Sequence, residues 1–149
     1  GLGAPYWDPD ARGAVLGLTR GSSAAHIARA ALESVAFQSR ELLDCLQADM
    51  GMKVESLRVD GGASLNSFLM QFQADMLGIP VELSPVAETT ALGAACLAGL
   101  HSGFWSGREE LSKNWRVSKT FTPAMDAADR ESRLAKWRAA VAAVSSFKP

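Results

Sequence analysis

Positive charge is the first thing this sequence has little of. Its 15 Lys and Arg stand against 16 Asp and Glu, a formal net charge of −1. Nucleic acids and anionic membrane surfaces need a basic field, so neither partner is expected. Cysteine is scarce as well. Cys45 and Cys96 are isolated, with no CxxC spacing, and two such residues without a signal peptide read as buried thiols of a reducing, cytoplasmic compartment. The longest strongly apolar run, residues 91–100, is far too short to span a bilayer. His26 and His101 stand alone and fit no metal-ligand spacing. No Ser/His/Asp or Cys/His constellation can be assembled, and neither GxGxxG nor GxxxxGK[ST] occurs.

What is present is an ordinary globular composition, 48% hydrophobic and 21% charged over 149 residues, enough for one domain. The chain opens on GLGAPYWDPDARG, which has the glycines, prolines and aromatic pair of an ordered loop. Pro5 and Pro9 forbid a helix there. A start inside such a loop, without an initiator Met, predicts the C-terminal part of a longer chain. WDPD reads as a turn.

Residues 13–19, GAVLGLT, are short, apolar and bounded by glycine, which predicts a strand. Ser22 or Ser23 then caps a helix running to Met50, stopped by Gly51. Ala28, Leu32, Val35, Ser39, Leu42 and Leu46 form its expected buried stripe, and Arg29, Glu33, Arg40, Glu41 and Asp44 fall mostly opposite. At 1.5 Å per residue it is roughly 40 Å long. The pattern continues with a strand at 54–60, a helix at 66–77 closed by Gly78, a strand at 80–84 and an Ala/Gly-rich helix at 89–103. A mixed stretch holding one helical turn and an edge strand follows, then an amphipathic helix at 126–148. That helix should bury Leu134, Trp137, Val141 and Val144 and present Arg130, Arg133, Lys136 and Arg138 to solvent. Trp105, Trp115 and Trp137 are expected as core or interface anchors. Alternating strands and helices at this spacing give an α/β domain with a parallel core, whose ligands bind beyond the carboxyl ends of the strands.

One stretch lies at such an end: RVDGGASLN, residues 58–66. A turn needs at most one positive-φ residue. A second glycine is useful where another body approaches the backbone with no Cβ in the way. The helix that follows directs its free N–H groups to the same place, which suits a phosphate, and Asn66 offers an amide to a base or ribose. The competing reading is a tight strand–helix turn, with Ser64 or Asn66 as N-cap and Asp60 as turn former. Pattern alone leaves both open.

Residues 13–33, GAVLGLTRGSSAAHIARAALE, resemble the second signature of the FGGY carbohydrate kinases, with Gly13, Gly17, His26, Ile27, Ala30, Leu32 and Glu33 in the expected places. Within that family, GLGAPYWDPDARG, RVDGGASLNSFLMQFQAD and ETTALGAACLAG are similar to the glycerol kinases. The motifs keep their order over nearly the whole chain, and the tail from about Met125 is the least diagnostic.

The resemblance implies the later strand–helix units of an actin/hexokinase-like ATPase domain with a ribonuclease H-like core. Residues 1–149 are then the C-terminal part of the nucleotide-binding domain, with the N-terminal acceptor-binding domain absent. It also implies transfer of the ATP γ-phosphoryl group to glycerol, giving sn-glycerol 3-phosphate. Gly61, Gly62, Ala63 and Asn66 match the family's nucleotide loop. No catalytic residue is carried over, the Mg²⁺ ligands are expected outside these residues, and the 149 residues alone are expected to be inactive. ATP or ADP, glycerol through the absent domain, and a homo-oligomeric assembly are the implied partners. Another FGGY sugar kinase, such as a pentulose kinase, and a non-catalytic assembly module are the alternatives.

Overall fold

The computed structural model describes residues 1–113 and 116–147. Trp115 and the predicted helix end at Lys148 fall outside them. In chain order the elements are α1 (Ala24–Met50), β1 (Leu57–Val59), a 3-10 turn (Gly62–Leu65), α2 (Ser67–Leu77) and β2 (Val81–Leu83). After these come α3 (Thr89–His101), α4 (Arg108–Lys113), β3 (Lys119–Phe121) and α5 (Ala127–Ser146).

The sheet has the order β1-β2-β3. β1 and β2 run parallel, with Leu57 opposite Val81 and Val59 opposite Leu83, so α2 is the crossover of a βαβ unit. β3 adds antiparallel to the far side of β2, Phe121 opposite Val81. That is the expected edge strand.

α2 is the most buried element. Leu69, Met70, Ala74 and Leu77 pack with Leu43 of α1 and with Val81 and Phe121 of the sheet. Its other side, Phe72 and Met76, packs with Ala36 of α1 and Leu134 of α5. A helix enclosed this way leaves its last carbonyls without water, and arginines from both neighbouring helices supply the hydrogen bonds. Arg40 Nη1 donates to Met76 O at 2.9 Å, and Arg130 Nε donates to Asp75 O. Cations at a helix C-terminus also complement its dipole. Gly78 ends α2 at φ +72, a conformation other residues rarely take. The buried Asp75 carboxylate accepts from the backbone N–H of Ala124 at 2.7 Å and of Met125 at 3.2 Å, fastening the approach to α5.

Several expectations are corrected. Residues 13–19 form no strand. Val15, Leu16 and Leu18 are exposed, and Gly17 at φ +77 interrupts the extended backbone. A strand needs a neighbour's backbone groups, and among the described residues none pairs with this segment. On α1 the buried face is Ala36 and Leu43 with Leu32 half-buried, whereas Val35, Leu42 and Leu46 are exposed. α1 is apolar on more than one side, and α2 selects the face that fits it. Glu41, expected on the polar side, is buried. Arg130 is not a solvated cation either, because the carbonyls of Asp75 and Met125 hold it. Cys45 and Cys96 are free and half-buried rather than fully buried.

The remaining α5 stripe is as expected, with Leu134 and Val141 buried and Trp137 stacked on Phe37 at 5.2 Å. WDPD is a turn in which Asp8 Oδ1 accepts from the Asp10 N–H at 3.1 Å. Ser23 is the N-cap of α1, and its N–H donates to His26 Nδ1 at 3.1 Å, so that histidine is a helix-end residue. No helix among the described residues is long and apolar enough to cross a membrane.

The opening loop is tied to α1 by Tyr6, whose hydroxyl donates to Glu41 Oε1. Burial, and then the hydrogen bond to Glu41, push the Tyr6 phenol up to about 12 from 10.0. A raised folded-state value means the tie is fully present below pH 10 and is lost as pH rises through about 12. Tyr6→Phe should therefore melt below the wild type at pH 9 and converge with it between pH 10 and 12. Thermal melts of the pair across that range check this.

Candidate functional site

The parallel ladder ends where Ser84 N–H donates to Val59 O at 2.9 Å. Beyond it the backbone leaves the sheet through Asp60 and turns at Gly61, at φ +82 and ψ 173. L-residues with a Cβ rarely adopt that φ, so the first glycine is required by the turn itself. Ser64, which is buried, closes the turn. Its Oγ donates to Gly61 O at 2.6 Å and its N–H to the same oxygen at 3.1 Å. Asn66 caps α2, its Oδ1 accepting from Leu69 N–H at 3.1 Å. The sequence offered Ser64 and Asn66 as alternative caps; they divide the work, Asn66 capping and Ser64 bracing.

The second glycine behaves differently. Gly62 has a φ outside the left-handed range, and a Cβ built on it meets no atom of the described residues within 4 Å. Nothing in the local fold demands glycine there. Gly62, Ala63 and Asn66 are exposed on one short stretch, with Gly61 half-buried beside them. The structure thus keeps Gly61, Gly62, Ala63 and Asn66 together at the carboxyl end of β1 and the amino end of α2. With Oδ1 of Asn66 engaged in capping, its Nδ2 is the atom left to offer a ligand.

Asp60 carries a contact that no local pattern announces. The Thr89 hydroxyl, in the first turn of α3, donates to Asp60 Oδ2. The two lie 29 residues apart, so spacing rules for helices and turns do not reach it. Among the described residues no group of three or more His, Cys, Asp or Glu could hold a metal. An apolar groove of about 330 Å³ between residues 12–16 and the end of α5, lined by Leu16, Val144 and Phe147, shares no lining residue with the loop.

The sequence profile of the FGGY family of carbohydrate kinases, C-terminal domain, matches residues 1–102. The chain belongs to the FGGY family. This FGGY chain is 58% identical over 141 residues to the glycerol kinase of Caldanaerobacter subterraneus subsp. tengcongensis, covering 95% of this chain and 28% of that protein. It is 60% identical over 141 residues to the glycerol kinase of Petrotoga mobilis, with the same coverage. The crystal structure of Plasmodium falciparum glycerol kinase with ADP matches with a TM-score of 0.87 at 39% identity, over 97% of this chain and 29% of that one. Gluconate kinase from Lactobacillus acidophilus, at 23% identity and a TM-score of 0.78 over 97% of this chain and 30% of that one, shares the fold. The FGGY chain thus has the α/β, actin/hexokinase-like architecture of these kinases, and it spans a little over a quarter of the length of the relatives it matches.

Asn66 is expected to be separable as cap and as ligand group. Asn66→Ala should cost about 1 kcal/mol of stability through the lost cap, whereas Asn66→Asp, which keeps the accepting oxygen, should melt close to the wild type. Thermal denaturation of the two variants tests this.

Proposed function

We propose that this FGGY chain is the nucleotide-side portion of a glycerol kinase, which moves the γ-phosphoryl group of ATP to the 3-hydroxyl of glycerol and yields sn-glycerol 3-phosphate. The observation that carries the reading is Gly62, a glycine at an exposed strand–helix loop that neither its φ nor its neighbours require. A missing Cβ there serves a ligand lying on the backbone. The identity of 58–60% to glycerol kinases supports glycerol as acceptor over the sugars of other family members.

On this reading the adenosine moiety rests on the backbone of Gly61, Gly62 and Ala63, and Asn66 Nδ2 donates to it. The rigid burial of α2 holds that seat still, the kind of positioning on which phosphoryl transfer depends. Mg²⁺, when bound, would neutralise the phosphate charge, and its ligands are assigned to the rest of the polypeptide. The carboxylate that accepts the glycerol proton and the acceptor pocket belong there too. Residues 1–149 are then the later units of the nucleotide domain and are inactive alone. The outer edge of β1, which pairs with no strand among the described residues, the apolar segment 13–19 and α3, none of whose residues is buried, are surfaces for that remainder to cover. The free thiols of Cys45 and Cys96 support a reducing, cytoplasmic setting.

In the full-length protein, Gly62→Val should raise the KM for ATP about tenfold while the KM for glycerol moves by less than about twofold. Steady-state kinetics with each substrate varied in turn measures both. An unchanged ATP constant removes the loop from the site.

A further inference from the structure

We propose that Thr89 is a positioning residue for the nucleotide, acting through Asp60 on the glycine loop. The inference rests on the nucleotide reading of that loop. Asp60 is the first residue past the sheet and the immediate neighbour of Gly61. Upstream, the backbone is fixed at Val59 O by Ser84; downstream, it is fixed by the Ser64 hydrogen bonds to Gly61 O. The torsions between those anchors set where the Gly62 backbone lies, and the side chain of Asp60 is the handle on them. Thr89 holds that handle.

The other end of the contact is equally exposed to control. α3 has no buried residue and no acidic residue in its first turn, and its N-cap, Glu88, makes no side-chain capping bond. The Asp60 carboxylate at Thr89 therefore brings a second negative charge, beside that of Glu88, to this helix start. A single hydrogen bond joins the orientation of α3 to the orientation of the loop. Asp60 is exposed and Thr89 half-buried, so water replaces the bond at little cost in global stability. Its effect is on geometry.

The experiment uses the full-length kinase with Thr89→Val, which keeps the shape and removes the hydroxyl, and Thr89→Ser, which restores a donor, beside Gly62→Val as the control on the loop. The expected result for Thr89→Val is an ATP KM raised about three- to tenfold, with the glycerol KM and the melting temperature unchanged, and with Thr89→Ser close to wild type. An ATP KM unchanged in Thr89→Val but raised in Gly62→Val overturns the proposal and leaves the loop reading standing. If Gly62→Val also leaves the ATP KM unchanged, the loop reading fails and the proposal falls with it. A parallel rise in both KM values or a lowered melting temperature, unrelieved by Thr89→Ser, reports general damage and overturns it as well.

Discussion

The enclosure of α2 is the constraint on which the rest depends. From Leu69 to Leu77 almost every residue is buried, including the polar Gln73 and Asp75. A short helix of this kind cannot rotate or slide, because both of its faces are packed. α1 and the sheet take Leu69, Met70 and Leu77, while α1 and α5 take Phe72 and Met76. Its carbonyl end is held by Arg40 and Arg130, and Asp75 draws the 124–125 backbone against it. The amino end of the same helix is where the glycine loop arrives. Rigidity made in the core is therefore delivered at the surface, where the proposed nucleotide loop would need it.

The loop shows two glycines with separate causes. Gly61 answers to the backbone, at φ +82, and Gly62 answers to nothing among the described residues. Ser64 and Asn66 then satisfy the local hydrogen-bonding groups, one by closing the turn and one by capping α2. A loop that needed only to turn would be complete with one glycine and a cap. The surplus is what the proposed nucleotide seat would use.

Much of this was legible in the sequence, for identifiable reasons. α2 carries its own stop in Gly78 and α5 its own N-cap in Asp126, and both helices appear within two residues of expectation. The turn and caps of the 58–66 stretch were legible because turn, cap and glycine requirements are local. What was not legible is what depends on a distant partner. α1 has apolar residues on more than one side, and only the shape of α2 decides between Leu43 and Leu42. Residues 13–19 have strand composition, but no strand among the described residues pairs with them. Arg130 looked like a solvated cation because the carbonyls it binds, on Asp75 and Met125, leave no mark in a sequence pattern. Thr89 and Asp60 meet across a whole βαβ unit.

The most direct test of the account is where a nucleotide protects the backbone. Amide hydrogen exchange of the full-length kinase, with and without ADP, reads this without any substitution. The account predicts that ADP slows exchange at residues 61–66 within this chain, while α2 from Leu69 onward, already protected by burial, changes little. Saturating ADP that protects other parts of the polypeptide and leaves residues 61–66 exchanging as before would contradict it.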